Sequence, residues 1–259
     1  MHRKIGEGNT AEVYLWENDT VLKLFHEGTP LREIEKELTT SIMINETGLP
    51  TPKVFGVEEY RGRTGIIYQY IEGPSLFIAN YSPMDMLDIL LKLQDSIHKI
   101  EAHHFPSLKE RLMQKIMAVF SLTLEEKQKW IEVIQQLPNG NTLCHGDFHP
   151  LNVMVTENGP VVIDWADATC GHPYGDIART YILVRFGGMS HPLEEEIRSR
   201  EQLADAYLRK CNVNREEFER WLVPVACARL MEGIGEWERE VLLQMVRMNG
   251  EHIDGLGGS

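Results

Sequence analysis

His145-Gly146-Asp147-Phe148-His149-Pro150-Leu151-Asn152 is the stretch on which the reading of the chain turns. Asp147 and Asn152 stand five positions apart, on a loop ahead of the short apolar run Val153–Val155. Asn158-Gly159 reads as a hairpin turn into a second run, Val161–Ile163, and Asp164 closes that run. Three oxygen-bearing side chains at the ends of one small hairpin can converge on a single space. Oxygen ligands suit Mg2+, which keeps waters and takes one or two carboxylates together with phosphate oxygens. Asn152 and Asp164 are therefore the expected metal ligands. Asp147 is left to orient a hydroxyl nucleophile and accept its proton, as the catalytic residue. A lone aspartate in a loop is ordinarily a turn cap; the spacing of all three gives this set chemical meaning.

On the N-terminal side of this stretch, the first seventy residues read as mostly strand. Glu12–Trp16 and Thr20–Phe25 flank Asn18-Asp19, and Lys53–Glu58 and Gly65–Ile71 flank Arg61-Gly62. Between the two pairs lies a helical stretch, Leu31–Glu46, with Pro30 before it and Gly48 after it. Glu72-Gly73-Pro74 breaks the pattern, and the rest is mainly helical. Ser82-Pro83 opens one helix, Thr123 and Glu126 form a capping box ahead of another, and three or four more follow Asp176. The terminal GLGGS reads as a flexible tail. The expected fold is α+β in two lobes. Residues 1–71 form a small antiparallel sheet with one helix, and 72–259 form a larger, mainly helical lobe carrying the short catalytic hairpin.

HxDxxxxN followed by a strand ending in Ile-Asp-Trp resembles the aminoglycoside phosphotransferase and choline kinase group of the protein-kinase-like fold. Asp164-Trp165, Ala168, Gly171, Pro173, Asp176 and Ala178 fit that group's DWxxAxxGxPxxDxA pattern. The resemblance runs from the first turn to about Arg179 and is most specific over 145–178. Protein kinases carry HRD and DFG where this chain has His145-Gly146-Asp147 and Asp164-Trp165-Ala166, which points to the small-molecule branch. The resemblance implies transfer of the γ-phosphoryl of ATP or GTP, with Mg2+, to a hydroxyl of a small molecule.

The small lobe agrees. Gly6-Glu7-Gly8-Asn9-Thr10-Ala11 lies between two strands and resembles the phosphate-covering loop, with Gly8, Asn9 and Thr10 as nucleotide contacts. Lys23 interrupts the apolar strand Val21–Phe25, on the face opposite Leu22 and Leu24. In the family such a lysine holds the α- and β-phosphates and needs a carboxylate partner. Glu37, fifteen residues before Pro52, is the expected partner, with Glu33 second. By the same resemblance the backbone of Gln69 and Ile71 meets the nucleotide base. His145 is expected to stabilise the catalytic loop. Asp176 is expected to open a helix as its cap and, in the family, to brace that loop. Cys144 reads as packed core, and Met84, Met86, Met113 and Met117 as core or gap-filler.

The chain has 259 residues with a net charge of −13, which argues against a nucleic-acid partner and is compatible with a cationic substrate. Residues 72–259 carry 18 basic and 28 acidic residues, so an aminoglycoside leads as acceptor. Glu232, Glu236, Glu238 and Glu240 are the expected contacts for its cations. Choline, homoserine or a sugar are the alternatives, and the motifs leave ATP against GTP and the phosphorylated position open. A non-catalytic nucleotide-binding pseudokinase is the rival of another class, and the intact Lys23, Asp147, Asn152 and Asp164 set weighs against it. No apolar run spans a membrane, MHRKIGEGNT lacks a signal segment, and the four cysteines form no CxxC pair. A cytoplasmic protein acting without membrane, as a monomer or weak dimer, is expected.

Overall fold

The computed structural model describes residues 2–8 and 10–253, so Asn9 and the expected GLGGS tail lie outside the described residues. The chain forms two compact units, one of residues 1–89 with 150–167, the other of 90–149 with 168–259. It is an α+β kinase-like fold.

The first unit begins with β1 (Lys4–Glu7), β2 (Ala11–Leu15), β3 (Thr20–Phe25), helix α1 (Leu31–Glu46), β4 (Val54–Tyr60) and β5 (Arg63–Gln69). The strands form one antiparallel sheet in the order β1-β2-β3-β5-β4. Both hairpins turn through residues of positive φ, Asn18 and Asp19 in one, Arg61 and Gly62 in the other. Paired positive φ values match the twist of the flanking strands. Alternation along β3 buries Leu22 and Leu24 on one face. On the other, Phe25 joins Ala11, Ile34 and Ile66 in a core completed by Leu38, Val54 and Tyr68. Ile34 and Leu38 come from α1, so this core seats the helix on the face that carries Lys23. Burying each such side chain contributes roughly 1.5–3 kcal/mol.

The hairpin of β7 (Val153–Thr156) and β8 (Gly159–Val162), reached after β6 (Thr142–Cys144), belongs to the first unit as well. Backbone bonds explain why. Leu76 N–H donates to the Val153 carbonyl (2.7 Å), Val155 N–H to that of Pro74 (2.9 Å) and Val162 N–H to that of Pro50 (2.8 Å). Residues 72–89 group with the sheet in the first unit.

Helix α2 (Pro83–His98) leads into the second unit. Ser82 caps it, accepting the Asp85 N–H at 3.2 Å. In the second unit α3 (Leu108–Ala118) and α4 (Leu124–Gln136) precede β6, which pairs antiparallel with β9 (Thr169–Gly171). Helices α5 (Pro173–Phe186), α6 (Glu194–Cys211), α7 (Arg215–Arg229) and α8 (Glu236–Ile253) follow. The Thr123–Glu126 capping box forms as expected. Helix α5 is buried along nearly its whole length, and it packs on α6 and α7. The sequence reading is corrected at its start: His172 is the cap, accepting the Tyr174 N–H, and Pro173 is the first helical residue. Asp176 thus lies inside the first turn, with its carboxylate free for other partners. Among the described residues no helix is long and apolar enough to cross a membrane.

Gly73 tests the seating of the hairpin. Its φ is +145°, and a Cβ there would stand 1.9 Å from the Val155 carbonyl oxygen. Gly73→Ala is expected to destabilise the protein by at least about 2 kcal/mol, read as a fall in denaturation midpoint. An unchanged midpoint would mean that β7 is not held against residues 73–76.

Candidate active site

Within the first unit, the sheet, α1 and the end of the β7–β8 hairpin enclose a cavity of about 410 Å3. Val13, Val21, Tyr68, Ile71 and Met154 give it apolar walls, and Lys23, Glu37 and Asp164 supply its charge. Strand β3 sends the Lys23 ammonium to this face, where it meets Glu37 of α1 at 2.7 Å and Asp164 Oδ1 at 2.9 Å. Of the two candidate glutamates, Glu37 is the one so placed. It is buried, and the Tyr68 hydroxyl donates to its Oε1 at 3.2 Å. That hydroxyl also lies 2.9 Å from Ser41 Oγ. Burial by itself would lower the Lys23 pKa, but the carboxylates of Asp164 and Glu37 outweigh it and hold the pKa raised. The lysine is therefore a fixed positive charge on the cavity wall.

Asp164 stands two residues past the end of β8, with φ +63°, a left-handed conformation that non-glycine residues adopt at a cost. Its neighbours impose it. Ile163 N–H donates to the Asn152 carbonyl (2.9 Å), and the buried Trp165 indole N–H donates to the Val162 carbonyl (3.1 Å). The first of these bonds ties Asn152, at the end of the single 3-10 turn Pro150–Asn152, to the residue before Asp164. The two expected metal ligands thus flank the open end of one hairpin. Asn152 is largely buried, while the Asp164 side chain keeps 45% of its exposure and places only Oδ1 on Lys23. Among the described residues no cluster of three or more His, Cys, Asp or Glu could hold a metal. One carboxylate and one amide oxygen instead fit a hard cation that completes its shell with phosphate oxygens and water.

The other residues expected to contact a nucleotide are placed unevenly. Gln69 and Ile71 line the cavity. In the glycine loop Gly6 lines it, whereas Gly8 spends its N–H on the Ala11 carbonyl (2.8 Å) inside its own turn. The Thr10 carbonyl accepts the His26 N–H at 2.9 Å, and neither Gly8 nor Thr10 is among the lining residues. Asn9 lies outside the described residues.

In the second unit, Asp147 stands on the loop leaving β6. His145 is fully buried, and its Nδ1 accepts the Asp147 N–H at 3.2 Å, a bond within the loop. The carboxylate of Asp147 faces His149 Nε2 at 3.4 Å and Arg179 Nη2 at 2.9 Å. Burial would raise its pKa; the His149 hydrogen bond and the charge of Arg179 outweigh it and hold it well below the usual carboxylate range. The preceding residue is gripped from both sides. Gly146 N–H donates to Asp176 Oδ1 (2.8 Å), and the Gly146 carbonyl accepts from Arg179 Nε (3.0 Å). Asp176 and Arg179 are three apart on α5 and so share one helix face. Asp176 is buried and also takes His98 Nε2 at 2.9 Å and Gln94 Nε2 at 3.3 Å. The bonds from His98 and Gly146 keep its pKa low against the effect of burial. Arg179 escaped the sequence reading. Its signal is a charged residue inside an otherwise apolar run, three after Asp176.

The tail glutamates divide. Glu232, between α7 and α8, pairs with Arg179 (2.9 Å), Lys115 (3.0 Å) and Arg229. Against the effect of burial, those cations lower its pKa to about 2. Glu238 is buried, accepting from Arg229 Nε (2.9 Å) and Gly188 N–H (3.3 Å). It is an internal partner, which differs from the exposed cation contact expected of it. Glu236 and Glu240 are exposed on α8.

Aminoglycoside phosphotransferase APH(4)-Ia superposes with a TM-score of 0.70 at 14% identity, over 95% of this chain and 93% of that one. A thermostable mutant of it, solved with AMP-PNP and hygromycin B, gives 0.68 at 13% identity over 99% and 94%. Choline kinase from Cryptosporidium parvum Iowa II gives 0.62 at 12% identity over 98% and 90%. These likenesses show the fold. Over 59 residues the chain is 37% identical to the uncharacterized protein YcbJ of Bacillus subtilis (strain 168), a stretch covering 22% of this chain and 19% of that protein. The chain thus spans about a fifth of the length of that curated relative. The profile of the phosphotransferase enzyme family matches residues 2–221, most of the chain and both units, and the chain belongs to that family.

Proposed function

We propose that the chain transfers the γ-phosphoryl of ATP or GTP to a hydroxyl of a small molecule. The observation that carries this is the Lys23 ammonium, fixed between Glu37 and Asp164 on the wall of an apolar-sided cavity. A flat base suits such walls, and a fixed cation suits phosphate oxygens. On this reading Lys23 positions the donor phosphates, Gln69 and Ile71 offer backbone groups to the base, and Asn152 and Asp164 hold Mg2+. Bound there, the ion would neutralise charge on the transferring phosphoryl group. Asp147 orients the acceptor hydroxyl and accepts its proton. With its pKa held low it stays ionised at neutral pH and is a weak base. That suffices, because phosphoryl transfer relies on positioning and electrostatics more than on strong proton abstraction.

An aminoglycoside is the acceptor that the net charge of −13 favours, and the likeness to APH(4)-Ia adds to it. A less cationic alcohol, such as a sugar, is the second reading. It is favoured by Glu232 and Glu238, whose charges are already met by arginine and lysine. Action as a cytoplasmic monomer or weak dimer completes the proposal.

Three substitutions separate binding from transfer. Lys23→Ala is expected to weaken MgATP binding by about 1.5–3 kcal/mol in a calorimetric titration, with the fold retained. Affinity equal to wild type would make Lys23 an ordinary strand residue. Asp147→Asn is expected to bind MgATP as wild type does and to lose about 10²–10⁴-fold in transfer from γ-labelled ATP to a mixture of kanamycin, choline, homoserine and glucose. Asn152→Ala should instead weaken the magnesium-dependent part of nucleotide binding. Transfer by Asp147→Asn within a few-fold of wild type would remove Asp147 from the reaction and favour a nucleotide-binding module.

A further inference from the structure

Arg179 touches the catalytic loop at two points. Its Nε donates to the Gly146 carbonyl and its Nη2 to Asp147 Oδ1, at 3.0 and 2.9 Å. The same Nη2 donates to Glu232 Oε2 at 2.9 Å. Only 8% of the Arg179 side chain is exposed, so the guanidinium lies largely withdrawn from water between two carboxylates. Because one nitrogen serves both, the Asp147 and Glu232 oxygens stand no further apart than two hydrogen bonds. Glu232 is itself held by Lys115 of α3 and Arg229 of α7. A flexible loop carboxylate is thus tied, through one planar group, to a rigid helical frame. Glu232 lies beyond residue 221, where the family match stops.

We infer that Arg179 is a positioning residue for Asp147, and that Glu232 sets the position of Arg179, so that the α7–α8 junction helps to align the reaction. The inference rests on the phosphotransfer reading above. Two physical consequences distinguish it from simple packing. Without the guanidinium, Asp147 and Glu232 lose the cation between them, and their repulsion, offset only in part by His149, Lys115 and Arg229, pushes Asp147 from its place. Without the Glu232 charge, Arg179 pairs with Asp147 alone and draws it away from the acceptor hydroxyl. The two losses are therefore not additive, since removing Glu232 relieves the repulsion that removing Arg179 creates.

The test uses the full chain and four variants: Arg179→Met, Arg179→Lys, Glu232→Gln and the double variant Arg179→Met/Glu232→Gln. MgATP affinity is measured by calorimetry. The kcat is measured as ADP formation from MgATP, with water and with the same alcohol mixture as acceptors. Amide hydrogen exchange is followed over residues 145–149. Arg179→Met is expected to lower kcat by about 10²-fold, the scale of an ångström-size misplacement, with MgATP affinity unchanged and faster exchange in the loop. Arg179→Lys should recover part of kcat, Glu232→Gln should lower it less, and the double variant should exceed Arg179→Met. If Arg179→Met does not fold, Arg179→Lys and Glu232→Gln carry the test: both must lower kcat at unchanged MgATP affinity. An active wild type whose folded variants keep full kcat overturns the role of Arg179 alone, as does a double variant no faster than Arg179→Met. A wild type that neither binds nor turns over MgATP overturns the phosphotransfer reading, and this inference with it.

Discussion

A lysine ammonium shared by two carboxylates organises the first unit. Lys23 comes from a strand, Glu37 from the helix packed on that strand, and Asp164 from a hairpin more than a hundred residues later in the chain. Withdrawing such charges from water costs several kcal/mol per ion, and an ion pair of this kind adds little net stability. The surrounding features serve to hold it. The Phe25–Ile34–Ile66 core fixes α1 against β3, Tyr68 donates to Glu37, and backbone bonds at Pro50, Pro74 and Leu76 hold the hairpin on the sheet. The strained φ of Asp164 is maintained by the bonds of Ile163 and Trp165 on either side of it. Strain and buried charge in one place mark a site kept for its chemistry more than for stability.

The second unit solves a related problem with α5. A catalytic loop must be exposed to substrate yet fixed, and loops alone are mobile. Here one helix face offers an anion and a cation three residues apart. Asp176 takes the N–H of Gly146 and Arg179 takes its carbonyl, so the peptide ahead of Asp147 is held at both ends. Burial of α5 makes that face rigid. The aspartate's partners His98 and Gln94, and the arginine's partner Glu232, extend the frame to α2 and to the α7–α8 junction.

How much of this was legible depended on the range of the interactions. Strand β3 and α1 are set by local pattern and stand where the sequence put them, whereas the hairpin turns at Glu157-Asn158, one residue before the expected Asn158-Gly159, and β8 ends at Val162 rather than Ile163. Lys23 opposite Leu22 and Leu24 followed from strand alternation alone. Helix α3 was not anticipated although Ser107 and Glu110 carry the same S-x-x-E spacing as Thr123 and Glu126; Ser107 does cap it. Strand β9 has three residues and exists through its pairing with β6, a long-range contact that no local pattern encodes. The misjudged roles are long-range too. Asp176 reads as a cap because aspartate commonly caps, a place that His172 takes; the family resemblance also gave it a brace on the loop, and its partners are Gly146, His98 and Gln94. Glu232 and Glu238 read as contacts for a cationic substrate, and only the fold brings Arg179, Lys115 and Arg229 to them.

The central claim is that the γ-phosphoryl group leaves the nucleotide for a carbon-borne hydroxyl. Phosphorus NMR of the wild-type protein with MgATP and pooled small alcohols, drawn from amino sugars, amino alcohols and neutral sugars, reads that event directly. The account predicts that the γ signal of ATP is lost, ADP appears, and a new phosphate monoester resonance grows with at least one pool. ATP left intact in every pool, or inorganic phosphate as the sole new product in all of them, would contradict it.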